Sequence, residues 1–309
     1  MQKKTILVFL GLFACVLLSC TPPIEGELTV LVDWDDVGVT AESPAWSSDG
    51  SKVFFISTWD STGNYDTSRV WCVDVNTGET TLVSPEAQEL DNLVLEIDID
   101  PVDNRCLTYW PHWNGWIRVF DTETWTQIES IRPPEDYRIN EHVKRYYPRF
   151  SYESNRALYY FYHNIDNDSS YLHKVNLEDS TDEVILTVQQ SWFFAPGPGD
   201  TLFAIGDTVY NLNTNERISM GLAGLPSTGS VNWNPANSDE LVIAKGEKRD
   251  LYVYNLETRE LTQLKTDFAR NVWIEDARFS PDGNRIVFSA HYDYESGFED
   301  KMYIFDPAE

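Results

Sequence analysis

Basic residues are scarce in this chain, and the usual marks of a catalytic centre are missing. Lys and Arg number 23 against 50 Asp and Glu, a net charge of −27. So acidic a surface repels nucleic acid and anionic lipid, so neither is expected as a partner. No Gly-x-Ser-x-Gly occurs and no Cys–His pair can be argued, which removes two nucleophile-and-base signatures. Cysteine occurs four times and histidine five. The long apolar run, Ile6 to Ser19, is too short and too interrupted for a comfortable membrane span.

That run has another reading. Lys3 and Lys4 precede it, and Leu17-Leu18-Ser19-Cys20 ends it. A basic start, an apolar core and a small residue before the cut describe a secretory signal over 1–19. Leu-x-Ser-Cys resembles the bacterial lipobox, which implies that Cys20 is lipid-modified and begins the mature chain. Thr21 stands where Asp would direct inner-membrane retention, so the expectation is an outer-membrane anchor, facing the periplasm or the outside. Residues 20–27 then form a lipidated tether and 28–309 the folded body. Losing Lys3 and Lys4 leaves 21 basic residues against 50 acidic, a net charge of −29. Cationic partners or divalent ions suit such a surface, and so does plain solvation. Cys72 and Cys106 fall in apolar strands of neighbouring units, open to a disulfide or to two buried thiols.

Self-similarity decides the fold. Phe279-Ser280-Pro281-Asp282-Gly283 followed by Ile286-Val287-Phe288 reads as strand, tight turn, strand. Trp46-Ser47-Ser48-Asp49-Gly50 before Val53-Phe54-Phe55-Ile56 has the same layout. Blurred copies begin at Ile99, Phe150, Phe194 and Trp233. The marker spacings are 53, 51, 44, 39 and 46 residues, the length of one four-stranded propeller blade. The strand after each turn is apolar on both faces, as a strand sandwiched between neighbouring sheets must be. A third strand and polar turn follow, as in Val70–Asp74 before Asn76-Thr77-Gly78, and then a more polar fourth strand.

The last unit has no room for its fourth strand. Glu27-Leu28-Thr29-Val30-Leu31 echoes Glu260-Leu261-Thr262-Gln263-Leu264 and can supply it from the other end. The expectation is an all-β, six-bladed β-propeller with four-stranded antiparallel blades, closed by its N-terminal strand. Closure removes exposed sheet edges.

The Ser-Pro-Asp-Gly turn, the apolar strand after it and a later Tyr-x-x-Asp strand resemble the TolB-type (PD40) propeller repeat. The likeness covers Leu28 to Pro307 and is strongest in blades one, five and six. TolB proteins carry an α/β domain ahead of the propeller, for which this chain has no room, so a Tol–Pal role does not carry over. The Gly-His and Trp-Asp pairs of WD40 units, the paired glycines of kelch and the Ser-x-Asp-x-Gly boxes of sialidases are absent in register.

In propellers of this kind, ligands meet the face formed by the loops between strands two and three and between blades. The tight Pro-Asp-Gly turns then count as scaffold on the far face. The loop face collects Trp59, His112, Trp113, Trp116, Arg145, Tyr146, Tyr292 and Tyr294 as binding candidates, because exposed Trp and Tyr are enriched at binding surfaces and sugars stack on them. His112, His163 and His291 lie just past the second strand of blades two, three and six, a candidate divalent-metal set. Oligogalacturonate lyases, propellers with related repeats, hold a His-rich metal site, which keeps a carbohydrate-active enzyme as the alternative. The leading expectation needs no cofactor: a monomeric, lipid-anchored module that binds an envelope protein or glycan.

Overall fold

A computed structural model describes residues 22–33, 40–57, 68–84, 94, 96–110, 116–131, 143–144, 147–153, 157–164, 169–189, 193–222, 230–245, 250–268, 272–294 and 297–308. Cys20, Trp59, His112, Trp113, Arg145 and Tyr146 lie outside them.

Six antiparallel sheets form a closed ring of blades. Blade one holds β2 (Glu42–Trp46), β3 (Lys52–Ser57), β4 (Arg69–Asp74) and β5 (Thr80–Leu82), from the axis outward. Blade two holds β6 (Glu96–Ile99), β7 (Arg105–Trp110), β8 (Trp116–Asp121) and β9 (Gln127–Ile131). In blade three the inner strand is split. β10 (Val143–Lys144) and β11 (Arg149–Phe150) pair with opposite ends of β12 (Ala157–Asn164), followed by β13 (Ser169–Asn176) and β14 (Asp182–Gln189). Blade four is β15 (Phe194–Pro196), β16 (Leu202–Ile205), β17 (Thr208–Asn211) and β18 (Arg217–Ser219). Blade five is β19 (Ser230–Trp233), β20 (Glu240–Lys245), β21 (Asp250–Asn255) and β22 (Glu260–Leu264).

Blade six contains β23 (Val272–Phe279), β24 (Ile286–Tyr294) and β25 (Gly297–Pro307), and its outer strand is the N-terminal β1 (Gly26–Asp33). β1 runs antiparallel to β25 from Gly26↔Pro307 to Asp33↔Lys301, where Lys301 Nζ meets Asp33 Oδ2 at 2.6 Å. Ring closure by the chain's own start is therefore as expected, with the strand beginning two residues before Leu28. Just upstream, Ile24 bridges to Leu264 of blade five, and Lys265 pairs with Glu25 at 3.1 Å.

Strands apolar on both faces do what their pattern requires. Val53 and Phe55 of β3 pack with Val287, Met302 and Ile304 of blade six, while Phe54 and Ile56 pack with Ile97, Ile99 and Cys106 of blade two. Each large side chain so buried contributes roughly 1.5–3 kcal/mol. Cys72 and Cys106 lie in that second cluster as buried, unpaired thiols, and burial pushes both thiol pKa values up.

The tight turns explain their own sequence. Ser280 Oγ accepts from Arg285 N at 3.0 Å and donates to Asp282 Oδ1 at 2.5 Å, and Asn284 N donates to the same Asp282 oxygen. Gly283 sits at φ 75°, in the left-handed region that glycine alone adopts freely. The turn after β2 repeats this with Ser47, Asp49 and Gly50. The Ser47 hydroxyl, then the Ser51 amide and hydroxyl, hold Asp49 below the usual carboxylate range. These aspartates are engaged in building turns.

Blade four corrects its own marker. Gly197 N donates to Leu202 O just as Ser47 N does to Lys52 O and Ser280 N to Arg285 O. Pro196, two residues past Phe194, therefore occupies the position of Trp46 and Phe279.

Candidate functional site

Register fixes which residues meet on the axis. The residues that end the inner strands, Trp46, Ile99, Phe150, Pro196, Trp233 and Phe279, come one from each blade. Together they wall a cavity of about 400 Å³. Turn residues Ser48, Pro101, Tyr152, Pro235 and Pro281 rim it, so it opens on the tight-turn face. Trp46 Nε1 donates to Arg278 O at 3.2 Å and Trp233 Nε1 to Ala195 O at 3.1 Å, so each indole is pinned to the neighbouring blade.

One residue earlier in the same strands stand Asp98, Arg149, Ala195, Asn232 and Arg278, which also line the cavity. Blade two supplies acids, and blades three and six supply guanidiniums. Arg149 Nη1 meets Glu96 Oε2 at 3.1 Å. Arg278 Nη1 pairs with Asp98, and its Nη2 donates to Ile97 O at 3.0 Å. The other Asp98 oxygen accepts from Phe150 N at 2.8 Å, so one carboxylate ties blades two, three and six. Paired β-bulges complete the cluster. Ser43 (φ 50°) and Asp276 (φ 47°) sit where β2 and β23 slip register, and Ser43 Oγ donates to Asp276 Oδ2 at 3.1 Å.

Three acids face two bases across this ring. Burial pushes Glu96 up to about 7; the Arg149 charge opposes the rise and Asp276 adds to it. Burial also raises Asp276, with Glu275 adding to it. Burial works against the Arg149 charge, but Glu96, Asp98 and Asp276 outweigh it and keep the guanidinium protonated. A broken pair here would leave a lone charge in low dielectric, at a cost of about 3–5 kcal/mol.

On the loop face, the described candidates fall in blades two, three and six. Trp116 opens β8 opposite Trp110. Tyr292 packs on the core between blades five and six, and its hydroxyl meets that of Tyr303. Tyr294 ends β24 opposite Gly297. His163 is in β12, opposite Lys144 and Ser170, three blades away from His291. His291 Nδ1 lies 2.5 Å from Asp300 and its Nε2 3.6 Å from Glu275. Burial alone would depress its pKa, but Asp300 and Glu275 push it up to about 11. Among the described residues, no three His, Cys, Asp or Glu side chains come together as a metal-binding group.

Sequence reasoning singled out none of Glu96, Asp98, Arg149 or Arg278, nor Trp273 of β23, which is 45% exposed opposite His291. A signal existed for three of them. Asp98, Arg149 and Arg278 each directly precede the apolar marker, inside strands otherwise built for burial.

No known family model matches the chain, and no curated protein matches it. Solved structures do match in shape. A gluconolactonase from Xanthomonas campestris aligns at TM-score 0.65 and 9% identity, over 92% of this chain and 90% of that one. A chain of the mitotic checkpoint complex aligns at 0.57 and 13%, over 98% and 99%. TolB from Acinetobacter baumannii aligns at 0.55 and 15%, over 74% of this chain and 55% of its own. At such identities the likeness supports the propeller fold alone, one that an enzyme and a chain of a protein assembly share.

Proposed function

We propose that this chain is a lipid-anchored protein of the bacterial outer membrane that binds a protein partner at the tight-turn mouth of its central channel. The observation that carries this reading is the cavity itself, to which each of the six blades contributes a wall residue. Its charged groups pair across blades, Glu96 with Arg149 Nη1 and Asp98 with Arg278, an arrangement suited to holding a shape. General acid–base work asks instead for a group poised against a substrate proton. The rim of prolines and Tyr152 offers apolar surface on rigid turns, which lowers the entropy cost of binding. The signal-like start and Cys20 support the anchor, and the acidic surface favours a neutral or basic partner.

Pull-down from native envelope with the anchor intact tests this. Ser48→Trp sets a large ring at the mouth and is expected to abolish capture of a stoichiometric partner, while Trp116→Ala on the other face leaves it intact. Capture lost with Trp116→Ala and kept with Ser48→Trp would move the site to the loop face and end this proposal.

A further inference from the structure

Arg149 and Arg278 both line the cavity, but they are not equally occupied. Arg278 commits Nη1 to Asp98 and Nη2 to Ile97 O. Arg149 is 5% exposed and commits Nη1 alone, to Glu96 and to Pro148 O. Its Nε is sealed off, whereas its Nη2 is not sealed and has no partner among the described residues. A buried guanidinium edge thus faces a cavity walled by aromatic and proline side chains. Guanidinium stays charged in any protein and matches carboxylate oxygens in geometry.

A second polar atom is also unspent. Asn232 donates Nδ2 to Ala277 O at 2.8 Å, and its Oδ1 has no partner among the described residues. Asn232 lines the same cavity. Beside the paired Asp98 and Arg278, the cavity therefore offers one unspent cationic donor and one unspent neutral acceptor among its aromatic and proline walls.

We infer that the channel recognises the C-terminal end of a polypeptide whose last residue is apolar. The α-carboxylate meets Arg149 Nη2, the last backbone N–H meets Asn232 Oδ1, and the last side chain lies among Trp46, Phe150, Trp233 and Phe279. A volume of about 400 Å³ accommodates one such residue with its carboxylate but no folded element. The inference rests on the channel-mouth reading above and specifies the chemistry of its occupant. The strongly acidic surface requires the rest of the partner to be neutral or basic.

The probe is a tetramethylrhodamine-labelled pentapeptide, Gly-Ser-Gly-Val-Phe, as the free acid and as the C-terminal amide, titrated by anisotropy into the mature protein. The free acid is expected to bind at least tenfold more tightly than the amide. In the paired variant Arg149→Met with Glu96→Gln, which removes both charges of the ion pair together, the two forms should bind alike. The acid-to-amide ratio on the wild-type protein decides the matter even if that variant does not fold. Equal binding of acid and amide, or no saturable binding of either up to millimolar concentration, overturns the inference. So does 3-phenylpropanoate competing as tightly as the peptide, which would make the occupant a small carboxylate. Ser48→Trp separates the two levels. If it blocks both forms equally while acid and amide bind alike, the channel stands and the carboxylate chemistry falls. If the peptide binds and Ser48→Trp leaves binding unchanged, the channel reading itself falls.

Discussion

Replacing Glu96 by Gln should change how stability depends on pH far more than it changes the fold. Glu96 lies in the channel ring against Arg149, and Gln keeps an oxygen that can accept from Arg149 Nη1. The wild-type carboxyl has an ordinary value of 4.5 and is raised by burial to about 7 in the folded protein. It therefore holds its proton more tightly when folded. Its contribution favours the native state fully below 4.5 and is lost as pH climbs from 4.5 through 7. Each pH unit between those two values is worth about 1.4 kcal/mol, so the whole loss is roughly 3 kcal/mol, most of it between pH 5 and pH 8. Urea unfolding of both proteins at pH 5, 6, 7 and 8 reads this directly. Glu96→Gln is expected to gain most of that, about 2–3 kcal/mol, relative to wild type over that span, because acids not facing Glu96 titrate alike in both proteins. Two curves that stay parallel to within about 0.5 kcal/mol would refute it, showing that the Arg149 charge and not burial governs this carboxyl.

Two further outcomes follow from the geometry. Gly26 packs so closely that a Cβ would lie 2.5 Å from both the Phe305 ring and Asp306 O, so Gly26→Val is expected to loosen β1 and cost about 1–3 kcal/mol in thermal unfolding. Unchanged melting would deny β1 its closing role. His291, held up at about 11 by Asp300 and Glu275, should show an imidazolium signal that does not titrate by NMR from pH 5 to pH 9. Asp300→Asn should bring its midpoint down toward the ordinary value of 6.5, and a wild-type midpoint near 6.5 would contradict the ion-pair geometry.

Much of the fold was legible because the turn chemistry repeats. Ser47-Ser48-Asp49-Gly50 and Ser280-Pro281-Asp282-Gly283 each encode the same closed set of side-chain-to-backbone bonds, and such local bonding can be read from local sequence. The closing strand was legible because Glu27–Leu31 repeats the pattern of Glu260–Leu264. Blade four was misplaced by two residues because Pro196-Gly197-Pro198-Gly199 carries none of that Ser–Asp chemistry and makes a short 3-10 turn instead. The channel site was not legible for a different reason. Glu96 and Arg149 are 53 residues apart, and Asp98 and Arg278 are 180 apart. Only the ring brings them together, and a periodic pattern does not say which off-pattern residues share the axis.

Photocrosslinking in living cells distinguishes the two mouths of the channel. A benzophenone amino acid placed at Ser48, on the tight-turn rim, and separately at Trp116, on the loop face, reports which mouth meets the partner. A discrete crosslinked protein is expected from position 48 and none from position 116. A discrete product from position 116 with none from position 48 would contradict it.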